Sequence, residues 1–587
     1  MSITIRYNTR FSGFYAGAFK TSINLVGRSK VYFSLSPNFV TVLIFRFDCC
    51  DFLVPNNFTF LCLVRIMNYV TRRFLRCAMV VFSWFVVPYS RVTTLWVPRK
   101  KLPPMTNPLL EIRAVKLAHM IRTRKVTSEE VVQAYIDRCK EVNPLVNAIV
   151  EDRFEEALEE ARQIDAEIAK GTRTVEEMER ETPLLGLPVT VKESIAVKGM
   201  INQGGRVFKQ RRVAQYDAPC VVLVKKHGGI ILLVSNTPEL CMCWETYNNV
   251  SGQTRNPYDL TRTPGGSSGG EAALISSGAS LIGLSSDIAG SARLPAMFTG
   301  IYGHKPTPYA ISPKGHIPAS NVEYWGDFFT IAPMTRYASD LPLLLKCVND
   351  PNGRKLLLDK HVDISTIKFF YMNNDGPSGT TRRLSKDIKS TIDDVASHFN
   401  ANKVKINGLK WALEISMSAM LRIKNVETIY YEGEDGEPRK HMGKETLKYF
   451  LGMSDSIFPS VLVGPLQQVM HWLPESRHRK LANIAENLKH QFQELLGTNG
   501  VFLYPTFPTT AHRHYQIYHK LVDTGYMMVF NTIGLPVTNC MVRLDRHKLP
   551  IGLQVVANPG QDHLALAVAQ AIEEQFGGWV PPPAATL

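Results

Sequence analysis

Acidic side chains are nearly absent from the first hundred positions of this 587-residue chain. Residues 1–101 hold fourteen Lys and Arg but only Asp48 and Asp51, so +12 of the formal net charge of +15 resides there. The remainder is close to neutral, which argues against a nucleic-acid partner and assigns the basic character to a membrane-facing or targeting segment. Cysteine is sparse too. Of ten residues, the only close pairs, Cys49–Cys50 and Cys241–Cys243, have neither zinc-site nor thioredoxin spacing. Free thiols, no metal and no cofactor are the expectation. The chain also lacks a G-x-x-x-x-G-K-[ST] loop, because no Lys follows its glycine pairs, and this excludes a phosphate-cradling P-loop.

An uninterrupted apolar run of about 20 residues, the length that crosses a bilayer, is missing as well. Phe39 to Val64 is broken by Arg46, Asp48 and Asp51, each unfavourable at a bilayer centre. Cys77 to Tyr89, "CAMVVFSWFVVPY", is flanked by Arg72, Arg73 and Arg76 on one side and Arg91, Arg99, Lys100 and Lys101 on the other. Snorkelling flanks extend it, with Trp84 and Trp96 as interfacial anchors. No A-x-A-like site follows Tyr89, so the segment reads as an uncleaved, single-pass signal anchor. Met67 stands where such an anchor would begin. Residues 1–66 therefore read as a non-native or disordered extension, 67–104 as anchor and linker, and 105–582 as one catalytic domain.

Beyond the Pro-rich linker "RKKLPPMTNP" the pattern becomes helical. Thr127 and Glu130 form a capping box, with Val131, Val132, Tyr135, Ile136 and Cys139 on one face behind it. Asp152 to Lys170 reads as a second, charged helix. Short apolar runs, "LPVTV", "GGIILLV", "VFLY" and "IGLQVVA", alternate with helical stretches, which predicts an α/β fold with a mainly parallel or mixed sheet.

Against this background one segment stands out, "RTPGGSSGGEAALISSGASLIGLSSDIAGSARLPA" at 262–296. Gly265, Ser267 and Gly269 satisfy the G-x-S-x-G nucleophile elbow, but the preceding "NPYDLTRTP" holds two prolines and cannot be the central strand that an elbow needs. A flexible surface loop fails to explain two Gly/Ser clusters separated by the apolar helical stretch "EAALISSGASLIGL". The remaining reading joins both clusters. Successive N–H groups at Ile288, Ala289, Gly290 and Ser291 make an anion-binding nest suited to a tetrahedral oxyanion, with Ser291 as nucleophile and Ser267 as relay. Upstream, the strand "LPVTVK" delivers Lys192, whose neutral form burial favours, as a general base.

Here the sequence resembles a known family. "LPVTVKES", "GGSSGG" and "SDIAGSARLPA" resemble the three parts of the amidase signature, and "GIYGHKPTPYAISPKGHIP", "TIGLPVTNC" and "LPIGLQVVANPGQDHLALAVAQAIEEQFGGWVPP" extend the similarity over roughly residues 105–582. These motifs are similar to the membrane-anchored fatty-acid amide hydrolase branch. The resemblance implies the amidase signature fold, a central twisted mixed sheet covered by helices on both faces. It implies a Ser-Ser-Lys triad of Lys192, Ser267 and Ser291, a cis peptide before Ser267, and support from Ser268, Asp287 and Arg293. A lipid amide substrate, a long-chain acyl amide or ester, an endomembrane location and a homodimer are compatible with it. Apolar residues of Trp411–Leu421 and Tyr449–Val463 would line an acyl channel.

Two departures bear on activity. Ala289 and Ser285 stand where the family usually has glycine. If position 289 needs a left-handed backbone, alanine is strained by roughly 1 kcal/mol, and Ala289→Gly would raise kcat. The same departure leaves open a membrane-bound binding protein with an impaired site; a glutaminase-like component of an amidotransferase is the other alternative.

Overall fold

The computed structural model describes residues 20–24, 30–34, 57–97, 100–376, 378–431 and 440–585, with side chains described from Arg73 onward. Within residues 1–66, two short strands, Lys20–Asn24 and Lys30–Ser34, pair antiparallel. The remaining residues before Asn57 lie outside the described residues, as does the expectation placed on them.

The body is built on one mixed sheet of eleven strands. In chain order these are β1 (Ile149–Asp152), β2 (Pro188–Lys192), β3 (Ile230–Ser235), β4 (Ile282–Asp287), β5 (Tyr302–Lys305), β6 (Thr330–Thr335), β7 (Lys368–Tyr371), β8 (Asn402–Lys403), β9 (Gly500–Pro505), β10 (Val537–Leu544) and β11 (Pro550–Val556). They lie side by side as β8-β7-β9-β11-β10-β5-β6-β4-β2-β3-β1. Helices flank the sheet, so β2, β3 and β4 are buried throughout, and their near-continuous Val, Ile and Leu follows from having no solvent face.

The four apolar runs all fall on strands. The Thr127–Glu130 box caps Ser128–Val146, where Val131, Val132, Tyr135, Ile136 and Cys139 are buried. Two boundaries differ from expectation. The charged helix starts at Phe154, because Ile149–Asp152 pairs with β3 instead. The "EAALISSGASLIGL" stretch is not one helix: α1 (Gly269–Ser276) stops before Gly278, whose φ of +84° breaks it, and the chain continues as strand β4. Alanine and leucine suit a helix, but the gap between β2 and β6 takes an apolar strand, and pairing on both sides decides.

Strands β3, β2 and β4 run parallel, and their carboxyl ends bring Ser235, Lys192 and Asp287 to one edge, the edge where open α/β sheets place ligands. Over this edge sits α1, whose Gly270 lets the helix rest on Asn236: an added Cβ would lie 2.4 Å from the Asn236 carbonyl oxygen. The N-terminal helix Asn57–Thr93 includes a 21-residue stretch, Arg73–Thr93, long and apolar enough to cross a membrane, longer than the thirteen residues of Cys77–Tyr89. Of the two stretches expected to line a channel, the helix Ala412–Met420 buries Ala412, Ile415, Ser416 and Ser418 and leaves its other residues half-buried, with Leu413 against Gly525.

Gly270 and Gly199 offer a paired test. Gly270→Ala forces backbone atoms apart, so it should lower stability by about 3 kcal/mol or more, the upper end of overpacking. Gly199 has φ of +84° but open space around it, so Gly199→Ala should lose only about 1–2 kcal/mol. Thermal midpoints of the two variants measured side by side check the ordering.

Candidate active site

Lys192 ends β2 fully buried, and burial pushes its ammonium below the usual lysine range; Cys241, Asp287 and Glu193 oppose that shift. Its Nζ donates to Ser267 Oγ at 2.7 Å and to Ser286 Oγ at 3.0 Å. Ser267 follows a cis peptide bond from Gly266. No side chain fits at Gly266, since a Cβ there would meet the Glu245 nitrogen at 2.5 Å and the Cys243 oxygen at 2.6 Å. Thr246 Oγ1 donates to the Gly265 carbonyl at 3.0 Å, and Thr237 Oγ1 to that of Ser267 at 3.2 Å, fixing the loop from below.

The second turn is organised by Asp287. Its carboxylate accepts from the amides of Gly290 (2.9 Å) and Ala292 (3.1 Å) and from Arg293 Nε (3.1 Å) and Nη2 (3.0 Å). Burial opposes its charge, but Arg293, then Asn531 and the Gly290 amide, outweigh this and hold the carboxyl down to about 2. Lowered below its unfolded value, the group contributes its stabilisation fully at neutral pH and loses it progressively as pH falls from the ordinary carboxyl value of 3.8 through about 2. Arg293 in turn donates to the Met527 carbonyl at 3.1 Å and Gln554 Oε1 at 2.9 Å, tying the turn to the far half of the sheet.

Ser291 thus stands on a braced turn, and it is joined to the first by the Ser268 amide donating to the Ser291 carbonyl at 3.2 Å. Among the described residues no hydrogen bond links the Ser267 and Ser291 hydroxyls, and the Ser291 hydroxyl has no protein partner. The four-amide nest needs correction. Gly290 N–H is committed to Asp287, which leaves Ile288, Ala289 and Ser291 as the amides without a protein acceptor among the described residues. Ser268 precedes α1 without capping it; its hydroxyl donates instead to the Ser286 carbonyl at 3.3 Å.

Ala289 does not sit in the left-handed region, whereas Gly290 does, at φ +95° with Met527 Cβ 2.6 Å from where its own Cβ would be. The conformational demand expected at position 289 therefore falls one residue later, on a glycine. Trp244 Nε1 donates to the Ala289 carbonyl at 2.9 Å and keeps that peptide oriented.

With both turns and the lysine placed, similarity to known proteins decides the family. The Amidase family model matches residues 130–566. The chain belongs to the amidase family. This amidase is 39% identical to human fatty-acid amide hydrolase 2 over 490 residues, 82% of this chain and 92% of the relative. It is 27% identical to a component of the glutamyl-tRNA(Gln) amidotransferase of Carboxydothermus hydrogenoformans, over 79% of this chain and 97% of the relative. A solved structure of a fatty acid amide hydrolase superposes with a TM-score of 0.65 at 21% identity, covering 86% of this chain and 91% of that one. The amidase is an amide hydrolase with the mixed-sheet fold of its family.

Several groups at the amidase's centre escape sequence reasoning. Glu271, at the start of α1, is pushed up to about 7 by burial and accepts from Ser235 Oγ at 2.6 Å and from Thr190. Glu193 is also pushed up to about 7 by burial, while the Gln203, Gly204 and Gly205 amides donate to it. Burial opposes ionisation of the Cys241 thiol, but Lys192 and His316 beside it bring it below the ordinary thiol range. Ser286 and His316 complete the set. A cavity of about 560 Å³, lined by Asn373, Asp375, Lys403 and Lys405 among others, lies at the β7–β8 edge and includes none of these residues.

Two substitutions separate the turn's neighbours. Ala289→Gly should leave kcat for amide hydrolysis within about two-fold, since a negative φ gives glycine no advantage. Gly290→Ala should lower kcat by about 10²-fold or more, because a Cβ there meets Met527 and displaces the neighbouring Ala289 and Ser291 amides, an effect on the scale of losing an oxyanion donor. Steady-state rates of both variants against the parent check this.

Proposed function

We propose that this amidase hydrolyses amides of long-chain acyl groups at a membrane, through an acyl-Ser291 intermediate. The observation that carries the chemistry is the buried Lys192 Nζ at 2.7 Å from Ser267 Oγ, beside a turn whose Ile288, Ala289 and Ser291 amides are unpaired among the described residues. Neutral Lys192 takes a proton from Ser267 as Ser267 takes one from Ser291, and the Ser291 oxygen attacks the amide carbon. The three amides stabilise the oxyanion. On collapse the relay returns a proton to the leaving amine, and water attacks the ester along the reverse path.

The acyl specificity is supported by the 39% identity to a fatty-acid amide hydrolase and by an aromatic seam. Tyr89, on the N-terminal helix, stacks obliquely on Tyr515 (5.5 Å), which meets Tyr247 (5.6 Å); Tyr247 hydrogen-bonds Tyr518, which meets Phe458 (5.4 Å) and, through it, Tyr449 (5.5 Å). Tyr247 lies three residues beyond Trp244, the residue that holds the Ala289 peptide. Membrane association is supported by two apolar surfaces. The N-terminal helix exposes Phe74, Trp84 and Phe85, and the paired helices Met442–Phe450 and Phe458–Trp472 expose Leu447, Phe450 and Trp472, with Leu451 and Met453 between them. Large apolar side chains left exposed on neighbouring helices favour a surface that meets a membrane or a partner.

Ser291→Ala should abolish labelling by a fluorophosphonate and turnover of oleamide. Lys192→Ala should slow both by about 10²–10⁴-fold and remove the rise in rate that the parent shows as pH climbs through the lysine titration. Undiminished rates in either variant would contradict the assignment. A disabled binding protein would leave the parent unlabelled.

The two apolar surfaces predict a graded result. A chain beginning at residue 102 should lose carbonate-resistant pelleting yet still sediment with phosphatidylcholine vesicles, and Phe450→Ser with Trp472→Ser should release it. Carbonate-resistant pelleting of the truncated chain equal to that of the full chain would contradict an anchor in the N-terminal helix.

A further inference from the structure

The three amides left for an oxyanion are not equally fixed. Each belongs to a planar peptide unit with a carbonyl on its opposite side, so the partner of that carbonyl sets where the N–H points. The Ile288 amide shares its unit with the Asp287 carbonyl, which accepts from Asn531 Nδ2 at 3.2 Å. The Ser291 amide shares its unit with the Gly290 carbonyl, which accepts from the Leu294 amide at 2.9 Å. The Ala289 amide shares its unit with the Ile288 carbonyl, which has no protein donor among the described residues. Its direction is therefore inherited from the next unit along.

That unit, from Ala289 to Gly290, is gripped at both ends. Its N–H donates to Asp287 Oδ1 at 2.9 Å, and its carbonyl accepts from Trp244 Nε1 at 2.9 Å. Both directions are fixed, since indole and amide N–H groups only donate, while carbonyl and ionised carboxylate oxygens only accept. The grip matters because the unit ends on a glycine. At φ +95° and without a Cβ, Gly290 lets the plane before it tilt at little cost, so the backbone alone does not hold it.

Trp244, in the loop after β3, is itself well seated. Its ring is half-buried against the core, and the carboxylate of the fully buried Glu245 beside it accepts from the Tyr515 amide at 2.7 Å. The peptide joining the two packs on Gly266, where a Cβ would lie 2.7 Å from the Trp244 carbonyl carbon and 2.5 Å from the Glu245 nitrogen. One residue thus touches both turns, that of Ser267 through its backbone and that of Ser291 through its ring. We propose that Trp244 is a positioning residue for the oxyanion: by holding the Ala289 carbonyl it aims the Ala289 amide at the oxygen of the tetrahedral intermediate, and so favours the transition state over bound substrate. This rests on the reading of Ser291 as nucleophile and of its neighbouring amides as oxyanion donors.

The test uses the full chain and a long-chain trifluoromethyl ketone carrying 13C at its carbonyl. Ser291 Oγ bonds to that carbon, the C=O π pair moves onto its oxygen, and the Ser291 proton passes through Ser267 to Lys192, which gives a hemiketal oxyanion; the alcohol made by reducing the ketone binds without this step. Trp244→Phe removes the N–H and keeps an apolar ring. It should lower kcat for oleamide by about 10–100-fold with KM changed less than about two-fold, up to the lower end of losing a whole donor because Asp287 keeps its half of the grip. The Ki of the ketone should rise by the factor by which kcat/KM falls, while that of the alcohol stays put. The 13C shift should show the hemiketal oxygen ionising about one to two pH units higher, which is the same factor read as a titration. Replacing the Trp244 indole by benzothiophene, with sulfur where the N–H stood, should reproduce the loss, and it decides alone if Trp244→Phe fails to fold. Ketone and alcohol affinities that fall together, an effect confined to KM, or an unchanged kcat would overturn the proposal. Should Ser291→Ala still form the hemiketal, the reading of the nucleophile itself fails; if that substitution abolishes the signal while the Trp244 variants match the parent, only the role of Trp244 fails.

Discussion

The buried pairing of Asp287 with Arg293 is the interaction on which this site depends. An isolated carboxylate with no solvent exposure would protonate, and an isolated guanidinium would draw in water; together they remain charged and leave spare lone pairs and protons for backbone. Asp287 spends them on the Gly290 and Ala292 amides, which curls the chain into the turn carrying Ser291. Arg293 reaches Met527 and Gln554, so the turn is held by strand β11 and by the helix Gly525–Thr532. A turn braced in this way can present three amides and a hydroxyl that have no protein partner among the described residues, groups a free loop would surrender to water.

Parallel strands supply the complement. Lys192 and Asp287 end neighbouring strands that run the same way, and the α1 helix lies over them on glycines that permit contact. The lysine is consequently both desolvated and hydrogen-bonded, which favours its neutral form while fixing its direction. Glu271 and Glu193, nearby and pushed up toward neutrality, add less negative charge than two ionised carboxylates would, so they do not hold the lysine protonated as strongly.

Much of this is legible in the sequence. Glycine and serine at 265–270 and 287–291 announce two turns, and the apolar run before Lys192 announces a strand that buries it. What escapes is everything set by pairing across the chain. The "SLIGL" run has the composition of a helix continuation and becomes β4 only because β2 and β6 flank it. Ser286 approaches Lys192 because parallel register aligns Val191 with Leu284, and His316 joins them from a loop whose course no local pattern specifies. Position 289 misleads for a related reason: the left-handed residue in the turn is decided by which amide Asp287 captures, and that is Gly290.

The most direct measurement of the central claim is the site of the covalent intermediate. Purified full-length protein, mixed with an oleoyl p-nitroanilide and quenched in acid within the first turnover, can be digested and its acylated peptide sequenced by mass spectrometry. The account predicts an oleoyl ester on Ser291. An oleoyl group on Ser267 or Cys241, or turnover without any acyl-enzyme, would contradict it.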